Sequence, residues 1–164
     1  MPLPEPPPVG AAMLPPDTFA GDVVLVTGGG TGLGKAMGIE FARLGATIAI
    51  VSRDPEHAAT GIAAIEAAGG RAVAAAADVR DPESVARAFD EVEAAAGPVT
   101  VLVNNAAGNF TARAEEMSAN AWRSVTQIVL DGANWLRRGL RMPEFVPVAD
   151  QIADRAGSSD AGPE

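Results

Sequence analysis

Four groups of residues in this 164-residue chain combine types and spacings that suit chemistry. The first is Gly28, Gly29, Gly30, Thr31, Gly32 and Leu33, which follow the apolar run Val23 to Thr27 in VVLVTGGGTGLG. Glycines let a backbone turn sharply and approach a pyrophosphate with no Cβ in the way. A helix opening near Leu33 would aim its free N–H groups and positive dipole end at that phosphate. A glycine turn alone can be purely structural, but strand, turn and helix together point to a dinucleotide. The second group is Ser52 and Arg53, ending the next apolar run. An acidic residue there would bind the ribose 2′-hydroxyl of NAD, whereas an arginine accommodates the 2′-phosphate of NADP, so NADPH is the expected cofactor. The competing reading of Arg53 is a solvated side chain before a capped helix. The third is Asp78, placed either to accept from an adenine amino group or to bond its own backbone as a loop aspartate. The fourth is Asn104 and Asn105, where a strand leaves the sheet. They can satisfy exposed backbone groups and shape a crevice floor, and Asn104 is assigned to the cofactor. The single histidine, His57, reads as a surface residue because no acid or base partner accompanies it.

These residues need a scaffold, and the hydrophobic pattern supplies one. Apolar runs at Val23 to Thr27, Thr47 to Ser52, Ala72 to Ala77 and Val99 to Asn104 recur at the length of a strand plus a crossover helix. The first intervening helix carries Leu33, Ala36, Met37, Phe41 and Leu44 at helical spacing and stops at Gly45. The second starts at Asp54 and Pro55, buries Ile62 and Ile65, and ends at Gly69 and Gly70. The third repeats the device with Asp81 and Pro82, buries Val85, Phe89 and Val92, and ends at Gly97. A fourth begins at Ser118 and turns Trp122, Val125 and Val129 inward. Unbroken apolar strands alternating with helices predict an α/β, Rossmann-type, doubly wound parallel sheet of about four strands with right-handed crossovers. Residues 1–16 are proline-rich and read as a mobile leader, with Met13 an alternative start. Residues 17–133 form the nucleotide-binding domain, and 134–164 read as an irregular tail.

Composition excludes several classes. The formal net charge of -9 argues against nucleic acid, which demands a basic face. No apolar run approaches the roughly 20 residues that cross a bilayer, so no membrane partner is expected and the default location is cytoplasmic. The sequence has no cysteine, which removes disulfides, zinc thiolates and a thiol nucleophile, and no metal site is expected.

The spacing of Thr27 to Gly34, with the Asn-Asn-Ala-Ala-Gly stretch from Asn104, resembles the short-chain dehydrogenase/reductase family. Within it, Met13 to Met37, Ser52-Arg53, Asp78 to Pro82 and above all Asn104 to Phe110, NNAAGNF, look most like the 2,4-dienoyl-CoA reductases. The resemblance covers about residues 13–133. It implies NADPH-dependent reduction of an unsaturated fatty acyl-CoA. By the same resemblance Gly28 to Leu33 hold the pyrophosphate, Arg53 the 2′-phosphate and Asp78 the adenine, while Arg80, Phe110 and Ser118 contact acyl-CoA. Bland readings compete: Arg80 as a solvated loop residue, Phe110 as a packing residue and Ser118 as the cap of the fourth helix. Val129 aligns where many family members carry a catalytic asparagine, and dienoyl-CoA reductases also look apolar there.

The family's chemistry needs a tyrosine and a lysine four residues later, or an aspartate and lysine from the second half. This chain has no tyrosine, and its one lysine is Lys35 in the first helix. The expectation is therefore a cofactor-binding fragment without catalysis, its end arising from a frameshift or early stop. A nucleotide sensor and a half-enzyme completed in trans are the alternatives. In the family sheet order the fourth strand is central, so here it becomes an apolar edge expected to drive self-association.

Overall fold

The structure, a computed structural model, describes residues 14–108 and 112–140. Its centre is a four-stranded parallel sheet of β1 (Val23–Thr27), β2 (Thr47–Ser52), β3 (Arg71–Ala76) and β4 (Val101–Val103), in the order β3-β2-β1-β4. The expected strands are all present, but β3 sits one residue earlier and β4 is shorter than the apolar run that marks it. In register, Leu25 of β1 lies between Ala49 of β2 and Leu102 of β4.

Alternation along the strands divides the core in two. Val24, Val26, Ile48 and Ile50 face α1 (Gly32–Arg43) and α2 (Pro55–Ala67), meeting Ala42, Ala58 and Ile65. Val23, Leu25, Ala49, Val51 and Ala75 face the other way, onto Val85, Phe89 and Val92 of α3 (Pro82–Ala96) and Leu136 of α5 (Gly132–Gly139). Both sheet faces are thus covered, which is why β1 and β2 read as continuous apolar runs. Each fully buried Leu, Ile or Val contributes roughly 1.5–3 kcal/mol.

The helix starts follow their capping chemistry. Asp54 Oδ1 accepts from the backbone N–H groups of Glu56 and His57 at 2.9 and 3.3 Å, and Asp81 Oδ1 accepts from Glu83 N at 3.0 Å. Ser118 Oγ accepts from Ala121 N at 3.1 Å and so opens α4 (Ala119–Thr126).

Three expectations are corrected. The buried stripe of α1 is Gly34, Gly38 and Ala42, whereas Leu33 is 78% exposed and Ala36 is exposed too. Small residues let α1 lie close on the sheet, so the large side chains are displaced to its flanks. Ile62 of α2 is half-buried while Ile65 takes the core position. In α4, Trp122 is 61% exposed and Val125 half-buried, while Ala121 is buried, and Val129, in the turn that follows, is 44% exposed. Among the described residues β4 ends the sheet on that side, so nothing covers the flank that these side chains share.

The expected irregular tail from 134 is helical at its start. The chain passes from α4 through a π-helical turn, Gln127–Asp131, directly into α5. This helix packs closely on its neighbours: a Cβ at Gly132 would meet Val79 at 3.0 Å, and one at Gly139 would meet the Phe89 ring at 2.5 Å. The leader before Leu14 and the tail after Leu140 lie outside the described residues.

Candidate functional site

A cavity of about 790 Å³ opens at the C-terminal ends of β1, β2 and β3, where open α/β sheets bind ligands. Gly28, Thr31, Gly32 and Leu33 line it from the β1–α1 turn, and Arg53, Asp54, Pro55 and His57 from the start of α2. Ala77, Asp78 and Val79 follow β3, Asn105, Ala106 and Ala107 follow β4, and Ile128 enters from the π turn.

The glycine turn is held by backbone geometry. Gly28 has φ +66° and donates its N–H to Val51 O at 2.8 Å, and Gly32 has φ +51°, a conformation that L side chains rarely adopt. At Gly34 a Cβ would lie 2.5 Å from both Gly28 O and Asn105 Nδ2, so the bare Cα lets the first turn of α1 settle onto the loop.

Gly29 and Gly30 are outside the residues that line the cavity. Both are buried, and a Cβ on Gly30 would run into the backbone carbonyl of His57. A Cβ on Gly61, one helical turn further along α2, would meet Gly29 O and Gly30 Cα at 2.9 Å. These glycines bring the β1–α1 turn and α2 into backbone contact.

The rear of the site hangs on Thr27, the one buried polar side chain among the described residues. Its hydroxyl accepts from Asn105 N at 3.0 Å and Ala106 N at 2.9 Å, and donates to Val103 O at 3.4 Å. Asn105 Nδ2 returns a bond to Thr27 O at 2.9 Å. The asparagine that shapes the crevice is therefore Asn105, while Asn104 is exposed and outside the lining. Thr27 is missing from the sequence-derived site because a threonine closing a strand looks like any β-branched strand residue.

Asp78 lines the cavity and also bonds its own loop, as its reading as a loop aspartate expects. Its Oδ1 accepts from Arg80 N at 3.0 Å, and Arg80 Nε donates to Oδ1 and Oδ2 at 2.9 and 3.0 Å. Arg80 Nη2 also donates to Oδ2. Hydrogen bonding from the Arg80 guanidinium holds the Asp78 carboxyl below its usual range against an opposing effect of partial burial, and Asp78 raises Arg80 in turn. Arg53 Nη1 lies 3.9 Å from the same carboxylate.

Arg80 and Ser118 do not line the cavity: Arg80 is engaged by Asp78, and Ser118 caps α4. Phe110 lies outside the described residues. His57, expected on the surface, is 58% exposed yet lines the cavity mouth, with Nδ1 3.6 Å from Asp54 Oδ2. Backbone N–H groups of His57 and then Glu56 hold the Asp54 carboxyl below its ordinary value.

These residues fit a dinucleotide: a cavity of about 790 Å³ across the strand ends, glycines that a side chain would obstruct or strain, a helix N-terminus at the turn and an arginine at the end of β2. Among the described residues no cluster of His, Asp and Glu could hold a metal ion, and no helix is long and apolar enough to cross a membrane.

Comparison with known proteins agrees with this geometry. The chain is 38% identical over 113 residues to a peroxisomal 2,4-dienoyl-CoA reductase, (3E)-enoyl-CoA-producing, of Arabidopsis thaliana, covering 69% of this chain and 38% of that protein. It is 43% identical over 118 residues to a Caenorhabditis elegans protein named probable 2,4-dienoyl-CoA reductase decr-1.2, covering 70% of this chain and 38% of the relative. The chain thus spans about two-fifths of the length of the curated relatives it matches. The solved structure of a citronellol catabolism dehydrogenase (AtuB) of Pseudomonas aeruginosa PAO1 superposes with a TM-score of 0.73 at 30% identity, covering 79% of this chain and 53% of that one. A family model described as short chain dehydrogenase matches residues 22–146, thirteen residues beyond the point where the family resemblance is expected to stop. With that match over most of its length, the chain belongs to the short-chain dehydrogenase/reductase family.

Proposed function

We propose that this chain is the NADPH-binding part of an oxidoreductase of the 2,4-dienoyl-CoA reductase type. The observation that carries the reading is Arg53, which lines the cavity at the end of β2 where the ribose of a dinucleotide falls. Gly28, Thr31, Gly32 and Leu33 hold the pyrophosphate with backbone N–H groups, and Asn105 and Ala106 close the crevice behind it. Bound there, NADPH supplies a hydride. By family, that hydride goes to the far end of a conjugated dienoyl-CoA and a proton goes to the α carbon. Arg80, Phe110 and Ser118 are the proposed acyl-CoA contacts. Arg80 must exchange its bonds to Asp78 for substrate, which makes Asp78 its resting partner.

A second reading is favoured by one observation: the sequence has no tyrosine to donate that proton. On this reading the chain binds NADPH without turning it over, as a sensor or interaction module. Self-association through the outer edge of β4 belongs to the proposal in either form.

Titration of the purified chain with NADPH and NADH, followed by nucleotide fluorescence, tests the cofactor. Tighter binding of NADPH is expected, and equal or weaker binding refutes the reading. The same sample with NADPH and a 2,4-dienoyl-CoA discriminates the two forms, since turnover identifies a working reductase and binding without turnover a binding module.

A further inference from the structure

The glycine turn and α2 are fastened together at Gly30 and Gly61, and the residue against which Gly30 is pressed is His57. Its backbone is fixed beside the glycine turn, and the residue lines the same cavity as Arg53. This placement gives the lone histidine a task that the proposed function leaves unassigned.

We infer that His57 is a specificity-determining residue for the phosphorylated cofactor: as an imidazolium it pairs with the 2′-phosphate beside Arg53, and as a neutral imidazole it does not. The inference rests on the reading of the cavity as an NADPH site.

The charges around the mouth show why one more cation matters there. From the end of β2 come Arg53 and the Asp54 carboxylate, the latter also 3.6 Å from His57 Nδ1. From the end of β3 comes Asp78, which is bonded by Arg80 and lies 3.9 Å from Arg53 Nη1. Glu56, adjacent on α2, is exposed, and the turn before α1 presents glycines and the uncharged Thr31. Arg53 and Arg80 both face Asp78, and Asp54 lies beside His57, so the two arginines and two aspartates sum to zero without His57. A 2′-phosphate is the part of NADPH that NADH lacks, so the contribution is selective. Histidine is the side chain that ordinarily changes charge between pH 5 and 8. An exposed ion pair of this kind changes affinity by up to about fivefold.

The test is the dissociation constant of NADPH and of NADH for the full chain at pH 6.5 and 8.5, for wild type, His57→Gln and His57→Arg. The phosphomonoester titrates near pH 6 in every sample, so the comparison with His57→Gln removes its effect. The wild type should bind NADPH about three to five times more tightly than His57→Gln at pH 6.5 and about equally at pH 8.5. His57→Arg should keep the tighter binding at both pH values, and NADH should respond to neither substitution. A preference for NADPH whose pH dependence is the same in wild type and His57→Gln overturns the role of His57 and leaves the cofactor reading standing. No preference for NADPH at either pH overturns both.

Discussion

Replacing Thr27 by valine keeps the shape of a fully buried side chain and deletes one oxygen. That oxygen accepts from Asn105 N and Ala106 N at 3.0 and 2.9 Å and donates to Val103 O at 3.4 Å. Each buried donor left without a partner costs about 1–3 kcal/mol. Asn105 and Ala106 are half-buried, so water recovers part of this, and about 2–3 kcal/mol is the expected loss. Against a total stability of about 5–15 kcal/mol that is a large fraction. At about 2–4 °C per kcal/mol for a chain of this length it lowers the melting temperature by about 5–10 °C. Thr27→Ser is the matched control, since it retains the hydroxyl and loses a methyl group worth about 1 kcal/mol. Urea unfolding followed by circular dichroism gives both free energies, provided the transitions are two-state with equal slopes. Thr27→Val as stable as Thr27→Ser, to within about 0.5 kcal/mol, would refute the assignment of Thr27 as the strap between β1 and β4.

Other substitutions probe the site and its supports. Arg53→Gln should weaken NADPH about tenfold, near 1.4 kcal/mol, and leave NADH unchanged in fluorescence titration; equal loss for both would place Arg53 away from the 2′-phosphate. Gly30→Ala drives a methyl group into the His57 backbone and should cost more than 2 kcal/mol, on the order of a core overpacking, measured by chemical denaturation. The Asp78 carboxyl is held below the ordinary carboxylate value of 3.8 by Arg80. Its stabilisation is therefore present in full above the unfolded-state value and is lost as pH falls through the lower folded-state one. Asp78 is partly exposed, so the loss is below about 1 kcal/mol, and Asp78→Asn should remove that part of the acid sensitivity of the melting temperature. Sedimentation of the chain over a range of concentrations should show association through β4, and a monomer throughout would count against it.

Punctuation was the legible part of the sequence. Asp54-Pro55, Asp81-Pro82 and Ser118 announce helix starts through side-chain chemistry that is local to a few residues, and the structure places each of them as caps. The glycine turn is equally local. Facing was harder, because periodicity locates an apolar stripe without saying whether anything lies against it. Trp122 and Val129 have helical spacing but no covering layer among the described residues, and α1 buries glycines where the pattern offers leucine. Within the site, one residue of register separates Asn104 from Asn105, and the inward one is marked by its bonds to the hydroxyl and the carbonyl of Thr27. At Gly29 and Gly30, close approach to a helix and close approach to a phosphate ask for the same missing Cβ, and the structure shows the first of these.

The short edge strand β4 has a thermodynamic consequence. Three residues, all half-buried, register it on β1, yet Asn105 and Ala106 of the crevice wall follow directly from it. Its detachment is a local opening, lower in free energy than unfolding of the central pair β1 and β2. On the proposed reading, nucleotide binds the molecules in which β4 is docked, so apparent affinity would equal intrinsic affinity scaled by that fraction. The converse follows by mass action: nucleotide at about 100 times its dissociation constant adds about 2.7 kcal/mol to the docked state. Amide exchange at Val101 to Val103 should therefore slow on saturation more than exchange anywhere else in the sheet, making the edge strand the natural reporter of occupancy.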